Sequence, residues 1–432
     1  MNHVYRLVWN QGSGSYVPAP ENVRTHVTRH GGKGRAVAGA VAGAFILASH
    51  STLCYALPTG EKVTAGAASV ARSGATMNVK QSSQNVAINW QSFGIGANEA
   101  VNFQQPNASA IALNRVLGSD PSTILGQLNA NGKVWVLNPN GVLFGSSAQV
   151  NVGGLLASTM NISDNDFMSG KRTFTNNGTS VGVVSNQGSI RTADGGYIAF
   201  LGQTVRNEGE LISPKGNVSL AAGKTVTLDF NGDKLLNIQV DEGEFKALAE
   251  NKGLIQADGG AVLLTAKAKD ALMDTVVNNT GVIQARTVAK QNGRILLLGG
   301  MDGGTVNVSG TLDASAPASL NPQGGDGGFI ETSGANVKIE NLNVNAGAEN
   351  GKSGAWLIDP ANVTIDRAMA DSLETALNND TDVSVLTARH TGPGPDPAPT
   401  QQGDITVAAS ITKTRAPNQV TKPVSLTMAA RG

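Results

Sequence analysis

Asn186-Gln-Gly188-Ser-Ile190, Asn207-Glu-Gly209-Glu-Leu211, Asn251-Lys-Gly253-Leu-Ile255 and Asn279-Thr-Gly281-Val-Ile283 are four copies of one pattern, Asn-x-Gly-x-aliphatic. A degenerate fifth copy stands at Val308-Ser-Gly310-Thr-Leu312. Successive glycines lie 21, 44, 28 and 29 residues apart, which reads as one coil, two coils, and then coils carrying insertions. A second pattern, Gly-x-aliphatic-x-apolar, occurs at Gly196-Tyr-Ile198-Ala-Phe200, Gly216-Asn-Val218-Ser-Leu220, Gly260-Ala-Val262-Leu-Leu264 and Gly293-Arg-Ile295-Leu-Leu297. Together they describe a coil of roughly 20 residues, made of short strands separated by Gly or Asn turns.

Alternation within the strands (Ile198 and Phe200, Val218 and Leu220, Val262 and Leu264) directs one set of side chains inward. Stacked coils would pair each strand with the coils above and below, about 4.8 Å away, so strands too short to fold alone share one core. Asn tolerates left-handed backbone at a turn, and stacked Asn side chains can hydrogen-bond along the axis. The expected fold is all-β, a right-handed parallel β-helix with an N-terminal hairpin-containing cap, on the order of 13 coils and 60 Å long. Propeller blades repeat at about 40–50 residues and sandwiches lack short self-similar units, so neither suits this chain.

Composition agrees. Of 432 residues, 53 are Gly and 39 are Asn, while charged residues make up 15% and aromatics 4%. A helical protein would favour Ala, Leu, Glu and Lys; this mixture favours strands and tight turns.

The chain opens with a compound leader. An apolar block from Ala36 to Ser49 follows Arg24, Arg29, Lys33 and Arg35 and precedes Cys54-Tyr55-Ala56. Fourteen residues are short for a membrane span, and the small residues at Cys54 and Ala56 suit signal peptidase, so cleavage is expected between Ala56 and Leu57. A buried apolar helix would not explain the basic flank, and a lipoprotein anchor at Cys54 is disfavoured by the bulky Leu53. The n-region is far longer than export requires, and its opening, Met1-Asn2-His3-Val4-Tyr5-Arg6-Leu7-Val8-Trp9-Asn10, resembles the extended signal-peptide region of large Gram-negative surface proteins.

Cleavage would leave 27 bases against 31 acids in the mature chain, with no Cys and His390 as the one His. A slightly acidic chain offers no basic stripe, so nucleic acid is set aside as a partner. Zinc sites built on Cys and His and Cys nucleophiles are excluded for the mature chain. A triad would have to use His390, beside the Pro-rich run that ends at Pro399. A Cys-free chain also suits passage through a narrow pore, because no disulfide closes a loop beforehand.

Residues 77–175 carry larger apolar residues and hairpin signals. Ile88-Asn89-Trp90-Gln91-Ser92-Phe93-Gly94-Ile95-Gly96 leads to Val101-Asn102-Phe103, to Ala112-Leu113-Asn114-Arg115-Val116, and then to the apolar run ending at Leu137. Asn138-Pro139-Asn140-Gly141 and Val142-Leu-Phe-Gly145 follow. Pro139 fixes φ, Asn140 accepts the second corner and Gly141 can take positive φ, so 134–137 is expected to fold back against 142–144 as a hairpin. On the residues alone this is an ordinary turn with no partner.

This segment resembles the filamentous-haemagglutinin-type N-terminal secretion domain of two-partner secretion exoproteins, in particular the high-molecular-weight adhesin branch. The resemblance extends from the leader to the Gly-Gly-Phe-Ile-Glu-Thr-Ser-Gly334 and Trp356-Leu-Ile-Asp-Pro360 segments. Gln105-Pro106-Asn107-Ala108 stands where filamentous haemagglutinin has Asn-Pro-Asn-Leu, which favours the adhesin branch. The resemblance implies that Asn138, Pro139, Asn140 and Gly141 take part in recognition by an outer-membrane two-partner secretion transporter. It also implies export through the Sec translocase and the periplasm to the cell surface or beyond, and binding to a receptor or glycan on a host or neighbouring cell.

No catalytic constellation emerges. Gly223-Lys224-Thr225 lacks the earlier Gly of a phosphate loop, because Val218 stands there, and Gly324-Gly-Asp-Gly-Gly328 lacks the downstream Asp of a calcium nonapeptide. The acids Asp229, Asp233, Asp241, Glu242 and Glu244 could line a polysaccharide-cleaving groove, but solvated turn acids explain them as well. Sequons at Asn107, Asn217 and Asn362 are expected often in so Asn-rich a chain. No enzyme activity, metal or cofactor is therefore expected. The rival readings are a β-helical polysaccharide-active enzyme and the delivery stalk of a contact-dependent toxin.

The expected organisation is an extended signal peptide (1–56), a mature N-terminal segment (57–76), the secretion domain (77–175) and a β-helical shaft (176–366). A short helix and strand (367–390), a Pro-rich linker (391–403) and the start of further β repeats (404–432) complete it. A helix over 368–377, with Met369, Leu373 and Leu377 on one face, precedes the linker and so is not expected to cap the strands after it. Those later strands favour a longer natural protein over a disordered tail.

Overall fold

The computed structural model describes residues 5–10, 15–20, 57–176, 178, 182–231, 234–268, 275–301, 303–388, 403–414 and 422–431. Ala56, Cys54, Asp233, His390 and the Pro-rich run lie outside the described residues. The chain forms two units, 1–53 and 54–432. In the first, Tyr5–Asn10 pairs antiparallel with Ser15–Pro20.

The second unit is a parallel β-helix. Among the described residues one face is a 13-stranded sheet and the other a 17-stranded sheet. A typical coil runs Tyr197–Gly202 on the first face and then Thr204–Asn207 and Glu210–Ile212 on the second, before Asn217–Ala222 begins the next coil. Ile198 pairs in register with Val218, Val218 with Val262 and Val262 with Ile295, as the Gly-x-aliphatic spacing implies. The Phe200, Leu220, Leu264 and Leu297 column runs beside it, and both columns are fully buried. Every coil thus adds its apolar residues to one continuous core instead of building its own.

The Asn-x-Gly pattern marks the corner between the two short strands of the second face. Asn186 donates from Nδ2 to Asn207 Oδ1 at 2.9 Å, Asn207 to Asn251 at 2.8 Å and Asn251 to Asn279 at 2.8 Å. All four side chains are buried, so each amide finds in the next coil the partner that water cannot supply. Buried polar groups on the first face are satisfied by tryptophans one coil away. Trp90 Nε1 donates to Asn114 Oδ1 at 3.0 Å, and Trp356 Nε1 to Thr332 Oγ1 at 3.2 Å.

The 44-residue gap between Gly209 and Gly253 is one coil, not two. Asn207 pairs directly with Asn251, and Glu210 with Leu254. The surplus chain leaves the helix as an antiparallel hairpin, Thr225–Asn231 with Lys234–Glu242, joined by Thr173–Thr175 in a three-stranded sheet. Its alternating Val226 and Leu228 cover a second apolar cluster on the outside of the 13-stranded face, containing Trp135, Phe167, Phe174 and Tyr197. The spacing of 44, twice the 21-residue repeat plus two, thus counts one coil and this outer hairpin.

At the N-terminus Ala68–Ser73 and Thr76–Gln81 form an antiparallel hairpin, and Lys62–Ala65 pairs antiparallel with Asn85–Trp90. These reversals close the first coil as the expected hairpin-containing cap. Near the other end the helix Arg367–Asn378, capped by Asp366 accepting from Met369 N at 2.9 Å, lies on Asn336–Asn345 with Met369, Leu373 and Leu377 buried. It packs beside Val363–Ile365, which pairs parallel with Ile405–Val407. The first face continues past it through Asp382–Ala388 to Leu426–Arg431.

Candidate functional site

Asn138 to Gly141 do not form a hairpin turn. Lys133–Leu137 lies in the 13-stranded sheet, parallel to Ile111–Val116 and to Gly154–Ser158. Val142–Phe144 lies in the other sheet, parallel to Ser122–Ile124 and to Val183–Asn186. The tetrapeptide is a corner that carries the chain from one face to the other. The turn chemistry is as expected, with Gly141 at φ +118°, but a fold-back would give each strand one partner where the coil gives it two.

Within this corner the four residues do different work. Asn138 is fully buried. Its Nδ2 donates to Asp120 O at 3.0 Å and to Ser122 Oγ at 3.1 Å, and its Oδ1 accepts from Asn140 N at 3.0 Å. Asn140 is exposed, yet its Nδ2 reaches Gly118 O at 2.9 Å. Pro139 is half-buried, and Gly141 O accepts from Ser122 N at 3.0 Å. The corner is therefore stitched to the loop at 118–122 of the preceding coil. On its other side Gly182 packs so closely that a Cβ there would meet Pro139 O and Asn140 C.

None of the partners in other coils was legible locally, because they lie 16 to 22 residues away in the preceding coil or 41 to 44 residues away in the following one. Arg115 is another residue missed. Its guanidinium donates to Asp164 at 2.7 Å, Asn161 at 2.9 Å, Asn89 at 3.0 Å and Ile162 O at 2.6 Å, tying the 13-stranded face to the helix Asp164–Ser169. Burial pushes the Asp164 carboxyl up, and hydrogen bonds from Thr64 and Arg115 more than reverse that and hold it below the usual range. A cavity of about 250 Å³ opens between Arg115, Leu137, Pro139, Asn140 and Met160. At its rim Leu117 is 63% exposed, and Val183 lies 37% exposed in the strand beyond Gly141.

Leu57, the residue after the expected cleavage point, is buried in the core under the cap. Among the acids weighed for a cleft, Asp241 accepts from Thr227 Oγ1 at 2.7 Å and Glu242 pairs with Lys224 at 2.7 Å. Asp229 lies on the same projecting hairpin and Glu244 just beyond it. Gln105 turns inward and bonds Gln81 Oε1 at 3.0 Å and Lys133 O at 3.1 Å.

Comparison with known proteins places this architecture. A model of the TPS secretion domain matches residues 55–314, and a model of the extended signal peptide of type V secretion systems matches residues 1–49. A heme/hemopexin-binding protein of Haemophilus influenzae is 36% identical over 265 residues, covering 58% of this chain and 29% of that protein. A second protein so named from the same species is 33% identical over 280 residues, covering 58% and 30%. The chain thus spans under a third of the length of these relatives. The crystal structure of the HMW1 secretion domain from Haemophilus influenzae superposes with a TM-score of 0.63 at 23% identity, over 81% of this chain and all of that one.

Proposed function

This chain belongs to the TPS secretion domain family, as an exoprotein exported through the periplasm to the cell surface or beyond, and on that premise we propose how its parts divide the work. The leader engages the Sec translocase and is removed between Ala56 and Leu57. The coils around Asn138–Gly141 address an outer-membrane two-partner secretion transporter. The shaft over 176–366 displays an adhesive surface toward a receptor or glycan on another cell. No reaction is assigned to the chain.

The observation that carries the transporter reading is the burial of Asn138 with both ends of its amide engaged. A side chain so used cannot also be read by a partner in the folded protein, so Asn138 acts as a positioning residue. The surface it holds out, Pro139, Asn140 and the neighbouring Leu117, is what a transporter would meet. Co-expression with and without the cognate transporter tests the reading. The mature chain should reach the medium only when the transporter is present, and equal release without it would refute it.

A second reading, binding of heme or hemopexin in place of cell adhesion, is supported by the names of the two relatives. Retention of hemopexin by the secreted protein, measured against retention on cell surfaces, separates the two.

A further inference from the structure

The projecting sheet leaves a groove of about 410 Å³ between itself and the N-terminal coils. Arg172 stands in it. Its guanidinium carbon lies 5.2 Å from the ring centre of Trp135 and 5.3 Å from that of Phe167, and its Nη1 donates to Phe167 O and to Lys171 O at 2.8 Å each. No carboxylate among the described residues pairs with it. Burial draws its pKa down, opposed only by the Tyr197 hydroxyl.

A half-buried guanidinium with spare donors and no counterion leaves part of its desolvation uncompensated. The other linings say what would compensate it. Lys133 also lines the groove, its ammonium 5.7 Å from the ring centre of Tyr197. Phe230, stacked with Trp135 at 6.1 Å between ring centres, gives an apolar edge, and Gln84, Asn85 and Ser109 give amides and a hydroxyl on the opposite side. Among the described residues Asp229 is the one acid lining the groove, and it is exposed.

We infer that this groove binds an acidic sugar, with the sugar carboxylate on Arg172, a ring face against Phe230 and hydroxyls on Gln84, Asn85 and Ser109. A carboxylate and guanidinium make a paired, charge-assisted contact. A sugar suits the remaining lining better than an acidic peptide would, because the amides and hydroxyl of Gln84, Asn85 and Ser109 stand across the groove from the ring of Phe230. The inference does not rest on the export reading, since it concerns the folded mature chain however it is obtained.

Binding to the purified mature chain is to be followed by Trp135 fluorescence and calorimetry. The probes are a glucuronic-acid-containing disaccharide, its carboxyl-reduced counterpart and acetate. The acidic disaccharide should bind at least tenfold more tightly than either of the others, and more weakly as salt rises. Arg172→Gln, checked for native circular dichroism, should lose that preference. Asp229→Asn, at an exposed position where folding is not at stake, should bind the acidic disaccharide several-fold more tightly. Equal binding of the acidic and reduced sugars, equal binding of acetate, an Asp229→Asn affinity no higher than wild type, or no binding of any probe would overturn the inference.

Discussion

Asn207 and Asn251 lie 44 residues apart in the chain and are joined by a 2.8 Å amide-to-amide hydrogen bond. The bond belongs to a ladder of four buried asparagines, and it shows that the β-helix tolerates an 18-residue excursion between Thr225 and Glu242 without losing one rung. Continuity of the ladder thus depends on the residues at the corners and not on the length of the loops between them.

Replacing Asn207 with Ala should therefore be costly. Its Nδ2 also reaches Gly209 O and Leu254 O, so the substitution strands several buried groups at once. The expected loss is about 2–3 kcal/mol, read as a lower denaturant midpoint. Asn129→Ala, in the half-buried outer ladder of Asn78, Asn102 and Asn129, should cost less than about 1 kcal/mol. Equal costs at the two positions would count against the buried ladder.

Two glycines separate close approach from turn conformation. A Cβ on Gly260 would run into the backbone of Gly216 in the preceding coil, whereas one on Gly195, at φ +75°, meets nothing within 4 Å. Gly260→Ala should lower stability by about 3 kcal/mol or more, since backbone cannot move aside. Gly195→Ala should cost about 1 kcal/mol, from the left-handed backbone alone. Thermal unfolding of both variants checks the order.

Acid should weaken one inter-coil clamp. Asp258 accepts from Arg286 Nε at 3.0 Å, from its Nη2 at 2.6 Å and from its backbone N at 2.9 Å. Burial pushes the Asp258 carboxyl up, and the bonds from Arg286 and Gln256 outweigh it and hold the carboxyl below the ordinary value. A depressed folded-state value means stability present above about pH 4, the unfolded value, and lost as pH falls through the folded one. Asp258→Asn should be destabilised at pH 7, with the gap to wild type closing below about pH 4. A gap of unchanged size at pH 3 would contradict the assignment.

The projecting hairpin should be dispensable for the coils but not for the aromatic cluster beneath it. Replacing residues 225–242 by a short Gly-Ser turn should keep the strand signature in circular dichroism while exposing Trp135 and Tyr197, seen as a red-shifted fluorescence and binding of an apolar dye. Loss of the strand signature would show that the hairpin holds the coils together.

What the sequence disclosed and what it concealed follow one division. Inward columns such as Ile198, Val218, Val262 and Ile295 are legible because the period-two alternation and the preceding Gly are local. The asparagine ladder is legible because the Asn-x-Gly unit recurs. The corner at 138–141 misleads because Pro-Asn-Gly has the same backbone needs in a hairpin as in a change of face. The difference lies in Asp120, Ser122 and Gly182, which no local pattern links to it. The 44-residue gap misleads because its length is close to twice the 21-residue repeat, whereas Val226, Leu228 and Phe230 face Trp135 from outside the coils. Arg115 and Arg172 gave no signal, since an isolated Arg acquires meaning only from what the fold brings to it.

On the proposed reading the Asn138–Gly141 corner supports export by holding a folded surface in place. Co-expression of Asn138→Ala with the cognate transporter, followed by quantifying the mature chain in medium and periplasm, tests it most directly. Wild-type protein should appear in the medium and the variant should stay trapped in the periplasm. Equal amounts of the two in the medium would contradict it.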